Sequence, residues 1–282
     1  MTPRFGVVVV GYESDDEWPG FFDSISHSTQ LPEAIVIVDN SSSCRIPVDI
    51  GGALEVTVLH EPKNLGYGSA ANQGVQELPK NVEWVVICNP DIRVEPDTFR
   101  TLLQNIDTLS NTAVLGPAIV DRQNEIFPSA RAIPGIRIGI GHALLGDIWP
   151  SNPWSAAYLG TYGSTKAQSV GWLSGAFIAV RRSAFELLGG FDEHYFMFFE
   201  DVDLGLRVKK LGLRNVYIPT ARVQHSGAHA TSSREADMLR AHHQSAELFL
   251  STLYSRWFHA PLRWLLKWGL RARAWIKTRG LS

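Results

Sequence analysis

The apolar positions of this chain change their pattern along its length. Over the first ninety residues they form short, unbroken runs: FGVVVV (5–10), AIVIVD (34–39), VTVL (56–59) and WVVICN (84–89). Runs this short and β-branched, with no polar alternation, predict strands covered on both faces, as in a parallel sheet. Most are separated by segments long enough to cross over as helix or loop, so the predicted class is α/β. Further on, SGAFIAVRRSAFELLGGF (174–191) reads as a strand, a helix and a Gly-Gly stop. DVDLGLRVKKLG (201–212) reads as a helix opened by acids and closed by Lys209, Lys210 and Gly212, the polarity the helix dipole favours. NVYIP (215–219) predicts another strand, and residues 121–170, rich in proline and glycine, predict a long excursion or lid.

The predicted strands end in polar residues. They run into Gly11-Tyr12-Glu13, Asp39-Asn40-Ser41, Glu61 to Asn64, and Asn89-Pro90-Asp91. Ligands of open α/β sheets bind outside the carboxyl ends of the strands, although Asp and Asn also favour plain turns. Asp39 suits a pyrimidine N3–H or a ribose hydroxyl. Asp91 suits a diphosphate with its cation, since a hard ion needs few protein oxygens when phosphates and water supply the rest.

Two stretches carry more chemistry. KNLGYGSAANQG (63–74) nominally fits a dinucleotide fingerprint at Gly66, Gly68 and Ala71, but that motif belongs after the first strand and this one follows the third. It reads better as a tight loop opening a small-residue helix, with Asn64 and Asn72 free to bond a nucleotide or to brace the loop. FMFFEDVDLG (196–205) sets Glu200, Asp201 and Asp203 behind Phe196, Phe198 and Phe199. Desolvation and mutual repulsion there should raise a carboxylate pKa, as a general base requires. The same acids would also start a helix, with Asp201 at the N-cap and Asp203 in the first turn.

In their order and spacing, VVVVGYES, VDNSS, NLGYGSAANQG, CNPD and SGAFIAVRR…GGFDEHYFMFFEDVDLGLR resemble the inverting family-2 glycosyltransferases over about residues 4–230. The resemblance implies the GT-A fold: a Rossmann-like, mixed, mainly parallel sheet flanked by helices, here with C-terminal helices. It implies a glycosyltransferase domain at 1–230 and a helical extension at 231–282. GHALLGDIWPSNPWSA, NVYIPTARVQHSGAHATS and MLRAHHQSAELFL are similar, more narrowly, to actinobacterial rhamnosyltransferases. Those move L-rhamnose from dTDP-L-rhamnose to N-acetylglucosaminyl-diphospho-decaprenol in building the arabinogalactan linker. By that likeness Asp201, with Glu200, is catalytic. Tyr12, Glu13, Asp39, Asn64, Gly66, Asn72, Asn89 and Asp91 bind the nucleotide sugar, and Trp172, Gly175 and Phe199 the acceptor. Asp91 and His225 hold Mg²⁺ or Mn²⁺. The family's usual Asp-x-Asp is here Asn89-Pro90-Asp91, which leaves the metal requirement open. A transferase using another, UDP- or GDP-linked, sugar is the rival reading, and a nicotinamide dehydrogenase a remote one.

Charge alters the picture at the end of the chain. The whole carries a net −2, but residues 256–282 hold seven basic residues and no acid, leaving 19 basic against 28 acidic residues elsewhere, a net −9. Arg263, Lys267 and Arg271 fall on one helical face flanked by Trp264 and Trp268, with Leu262, Leu265, Leu266 and Leu270 on an apolar side. Basic amphipathic helices with Trp predict an interfacial segment, and so a peripheral enzyme on the cytoplasmic face of the plasma membrane. The acidic body argues against nucleic acid; a homodimer stays open. An apolar content of 45% supports a real core, two cysteines are too few for a disulfide framework, and acids at 13–17 argue against a signal peptide. His229, His242 and His243 suit structural or surface roles, because no third ligand accompanies them at zinc spacing.

Overall fold

The computed structural model describes residues 3–41, 46, 54–135, 149, 151–159, 166–227 and 232–279. The four expected strands are present as β1 (Phe5–Gly11), β2 (Ile35–Asp39), β3 (Val56–His60) and β4 (Trp84–Cys88), paired in parallel in the order β3-β2-β1-β4. Every residue of β1, β2 and β4 is buried, which accounts for their uninterrupted apolar sequences. Helices α1 (Trp18–Ser26) and α2 (Tyr67–Glu77) help to cover the two faces. Small residues let α2 approach closely: Ala70 and Ala71 are fully buried with Val8 and Val38, and a Cβ on Gly74 would strike Val8.

Beyond β4 the sheet becomes mixed. It contains β5 (Ile92–Val94), β6 (Thr112–Val120), β7 (Ile126–Phe127), β9 (Gln168–Val170), β11 (Phe177–Arg181) and β12 (Arg214–His225), continuing as β11-β6-β12-β5 with β7 beside β6 and β9 beside β12. A separate pair joins β8 (Ala130–Arg131) to β10 (Trp172–Leu173). Strand β11 is antiparallel to β4 and sets Phe177 opposite Cys88. The chain therefore enters β11 from the edge where β4 leaves the sheet.

The central strand β6, TAVLGPAIV, carries no clear strand signal because Pro117 lies in its middle. Its surroundings explain the tolerance. Pairing with β11 ends at Leu115, and β12 shifts register between Ile218 and Arg222, beside Pro117. A missing N–H costs little where the ladder is already broken.

Helices α3 (Thr98–Gln104), α4 (Pro153–Leu159), α5 (Arg182–Leu188) and α6 (Glu200–Lys210) complete the body. α5 stops at Gly189 and Gly190, both with positive φ, as the sequence predicts. Two further helices follow, α7 (Ser232–Leu253) and α8 (Ala260–Arg279). Phe249 of α7 is fully buried in a cluster with Trp172, Tyr195, Val202 and Leu206. The rest of the core forms one cluster on each face of the sheet. Part of the predicted excursion at 121–170, namely 136–148, 150 and 160–165, lies outside the described residues, as does His229.

Candidate active site

Register brings the polar strand ends together. Gly11 pairs with Asp39 and Asp39 with His60, so Tyr12, Asp39 and His60 leave the sheet along one edge. Asn89 N–H donates to Ala176 O at 3.1 Å, which joins the end of β4 to the segment before β11. Asp39 is buried, and its Oδ1 accepts from Ser41 Oγ at 2.6 Å and Ser41 N–H at 3.1 Å. Its Oδ2 has no hydrogen-bond partner; His60 Nδ1 stands 3.5 Å away. A fixed carboxylate with one free oxygen is equipped to accept a ligand N–H or O–H. Tyr12 is exposed beside it, and Glu13, also exposed, takes a positive φ of 49°.

Asp91, Asn89 and His225 form the second group. Asp91 is buried and its Oδ1 lies 3.1 Å from His225 Nε2; Asn89 Nδ2 is 3.5 Å from the same nitrogen. The strand pair β5–β12 sets His225 opposite Ile92, which brings the two ends of the chain segment together. Among the described residues no cluster of three or more metal-ligating side chains occurs. A carboxylate and an imidazole aimed at one another nevertheless fit a divalent cation that draws its other donors from a diphosphate and water.

The glycine loop serves as a brace. Asn64 Oδ1 accepts from Gly66 N–H at 2.9 Å, and Asn40 holds the same loop through Leu65 N–H and Gly66 O. Gly66 has φ 86°, and a Cβ there would collide with the carbonyl of Phe196; only glycine permits that approach. Tyr67 N–H donates to Phe196 O at 3.0 Å. Asn72 stands behind the site: its amide bonds Phe191 N–H at 2.8 Å, Phe191 O at 2.9 Å and Glu193 Oε1 at 3.1 Å. Of the two roles open to it, bracing is the one its contacts fill.

FMFFEDVDLG turns the chain sharply. Phe198 and Phe199 both have positive φ, 68° and 67°, a strained conformation for aromatic residues. Phe199, and not Asp201, is the N-cap of α6, with no side-chain capping bond. Asp201 instead lies inside the first turn. Its Oδ2 accepts from Gly175 N–H and its Oδ1 from Val202 N–H, each at 2.8 Å. The Gly175 carbonyl in turn accepts from Tyr67 OH at 2.5 Å. One residue, Gly175, thus holds the acid through its N–H and the phenol through its carbonyl.

Electrostatics divides the three acids. Glu200 is buried, its Oε2 has no hydrogen-bond partner, and burial followed by the charge of Asp201 pushes its pKa up to about 8. Burial also raises Asp201, against the pull of two backbone N–H groups and the Arg131 guanidinium. These contacts favour the ionised Asp201, so near neutral pH the pair holds its proton on Glu200. Asp203 points elsewhere, with Arg207 Nε 2.5 Å from its Oδ2. The repulsion expected from it is thereby neutralised, and the repulsion within the pair comes from Glu200 and Asp201.

Tyr67 and Arg131 are functional candidates that sequence reasoning missed. Burial, then the charges around Cys88, Glu200, Asp201 and Asp91, hold the Tyr67 phenol protonated well above its usual range. Its position therefore joins the Asp91 group to the acidic pair. Its signal was a lone aromatic between two loop glycines. Arg131 lies over the rings of Trp172, Phe127 and Tyr158 at 5.4–5.6 Å, and Nε donates to Pro128 O. Nothing local marks it. Trp172 is correspondingly the buried floor of that cage, bonded through Nε1 to Ala132 O at 3.0 Å. Gly175 and Phe199 do border the acids.

A family model described as "Glycosyltransferase like family 2" matches residues 3–243. The chain belongs to this glycosyltransferase family. It is 39% identical, over 99% of its length and 94% of the relative's, to the N-acetylglucosaminyl-diphospho-decaprenol L-rhamnosyltransferase of Mycobacterium tuberculosis. The rhamnosyltransferase WbbL of Escherichia coli is 28% identical over 61% of this chain and 63% of its own. Among solved structures, GalNAc-T7 with UDP, GalNAc and Mn²⁺ superposes with a TM-score of 0.59 at 15% identity, over 84% of this chain and 48% of that one. The mannosyltransferase PcManGT of Pyrobaculum calidifontis, with GDP-Man and Mn²⁺, gives 0.54 at 18% identity over 87% and 64%. The glycosyltransferase therefore has the expected GT-A fold.

Proposed function

We propose that this glycosyltransferase moves L-rhamnose from dTDP-L-rhamnose to an N-acetylglucosaminyl-diphospho-polyprenol, with inversion at the anomeric carbon. The observation that carries the reading is the full-length 39% identity to a relative named for that acceptor and sugar, joined to a site of matching chemistry. The thymine base lies against Tyr12 with an N–H directed at the unpartnered Asp39 Oδ2. The diphosphate lies near Asn89, Asp91 and His225. Asp91 and His225 would hold a divalent cation, which when bound neutralises charge on the departing diphosphate.

Asp201 acts as the base. The acceptor hydroxyl oxygen forms a bond to the anomeric carbon as the bond to the diphosphate oxygen breaks, and its proton passes to Asp201. The Gly175 and Val202 amides keep Asp201 ionised and oriented before the step. Glu200, holding the pair's proton near neutral pH, keeps a second negative charge out of the cleft. Tyr67 anchors Gly175, the residue whose N–H does the orienting, by its carbonyl.

A panel of dTDP-, UDP- and GDP-sugars, each offered with a synthetic GlcNAc-diphosphoryl-prenol, tests this. Transfer should occur from dTDP-L-rhamnose and from none of the others. Failure with that donor and turnover with another removes the rhamnosyl reading.

A further inference from the structure

The C-terminal hairpin does not divide its faces as the helical wheel suggests. Its basic residues turn back onto α7. Lys267 Nζ lies 2.6 Å from Glu247 Oε1 and Arg271 Nε 3.5 Å from Glu247 Oε2, while Arg263 donates to the carbonyls of Tyr254 and Arg256. Leu266 and Leu270 also face inward, lining with Leu250 a cavity of about 300 Å³ between the helices. The outer side is left aromatic. Trp257 is 85% exposed, Trp264 64% and Trp268 54%, with Phe258 and Leu265 exposed among them. Positions 261, 264, 265 and 268 of α8 repeat at the helical period and share one surface, with the Trp264 and Trp268 rings 6.0 Å apart, while Trp257 and Phe258 stand exposed in the short 3-10 turn that leads into it.

We infer that this outer surface docks on a lipid bilayer: Trp257, Phe258, Trp264, Leu265 and Trp268 enter the boundary between headgroups and acyl chains, while the basic residues chiefly hold the hairpin together. The inference rests on the proposed polyprenyl-linked acceptor. Indole rings suit that boundary because an apolar body and an N–H donor share one rigid side chain. The patch has no acid near it in sequence, and the exposed Arg256 beside Trp257 would meet anionic headgroups. A second copy of the chain fits less well, because a two-fold contact through this patch would set cations against cations. No helix among the described residues is long and apolar enough to cross a membrane, so the contact is interfacial. It also lies next to the chemistry: α7, to which α8 is tied, packs Phe249 at 5.5 Å from the Phe199 ring, immediately before Glu200 and Asp201.

The test is co-sedimentation of the full-length protein with vesicles of phosphatidylcholine, alone or with phosphatidylglycerol. It compares wild type with a Trp257→Ser, Trp264→Ser, Trp268→Ser variant. These residues are exposed, so the variant should keep the circular dichroism and melting temperature of the wild type. Wild type should bind both vesicles with a blue shift of Trp emission, and the variant should bind at least ~10-fold more weakly. Most wild-type binding should survive about 0.5 M salt, where the screening length falls below ~5 Å. Equal binding by the variant, or binding abolished by salt, overturns the inference. So does concentration-dependent dimerisation that the variant loses without any lipid binding. With a short-chain, water-soluble acceptor the variant should turn over as wild type does, and with vesicle-embedded acceptor it should slow. If wild type turns over neither acceptor, the functional reading fails while the vesicle result stands by itself.

Discussion

Asp201 and Glu200 are neighbours in sequence with opposite tasks. Two backbone N–H groups favour the charged form of Asp201, while Glu200 is buried with an oxygen that has no partner. Asp201→Asn should fold and bind donor yet lose at least ~100-fold in kcat, since a positioned base commonly contributes that much; single-turnover kinetics with donor titration checks this. Glu200 makes a prediction about stability. Its folded pKa of about 8 lies above the ordinary glutamate value of 4.5, so the folded state binds the extra proton between those values. Stability is therefore fully present below about 4.5 and declines as pH rises towards 8. Glu200→Gln should flatten that slope and stabilise the protein relative to wild type at the alkaline end, by up to a few kcal/mol (order of magnitude), as melting temperature against pH would reveal. Arg131 draws the Asp201 pKa down, so Arg131→Gln should move the acid limb of the pH–kcat profile towards neutral. A purely structural loss would lower the rate at every pH and leave that limb in place. Asp39, Asp91 and Asp201 were legible in the sequence because each follows a recognisable strand or motif. Arg131 was not, because two of the three rings around it, Tyr158 and Trp172, and the Asp201 carboxylate it acts on are brought to it only by the fold.

Among the elements, the turn at Gly66 connects the two halves of the site. It carries Asn64 on one side, opens α2 on the other, and lets the Phe196 carbonyl approach where a side chain would block it. Gly66→Ala combines a left-handed φ with that collision and should cost at least ~2 kcal/mol in urea unfolding. It should also lower activity beyond the stability loss, because Phe196 leads into the strained Phe198–Phe199 turn and the acids after it. A stability change within error would show that the loop relaxes and does not brace the acids. Strands β1, β2 and β4 could be read directly, since burial on both faces leaves an apolar run; β3, the partly exposed edge strand, was legible from its β-branched residues alone. Strand β6 could not, because the proline that argues against a strand is accommodated by a break in pairing visible only once its neighbours are in place. Asn64 and Asn72 look alike in sequence, but Asn64 turns into its own loop and Asn72 reaches Phe191, more than a hundred residues on. Periodicity could not separate them.

On the scale of the whole molecule, the boundary between catalytic body and C-terminal hairpin decides what can be removed. The sequence suggests a division at residue 230, where the last expected strand has ended. Packing suggests a later one. Phe249 closes the cluster of Trp172, Tyr195, Val202 and Leu206, and Ser245 Oγ donates to Met197 O at 2.8 Å, so α7 covers the underside of the acidic motif. By contrast, the contacts of α8 described above run to α7 and its following turn through Glu247 and the Tyr254 and Arg256 carbonyls. A chain ending at Ser255 should therefore stay folded, with the same donor affinity and the same turnover of a water-soluble acceptor. A chain ending at 231 uncovers Trp172, Tyr195 and Val202 and should lose several kcal/mol, since stripping a large aromatic from a core alone costs about 3–5 kcal/mol. Urea unfolding and donor titration of the two truncations separate these outcomes. Equal stability of both would make α7 an appendage, and with it the proposed path from the lipid surface through Phe249 to Phe199 would lose its middle link.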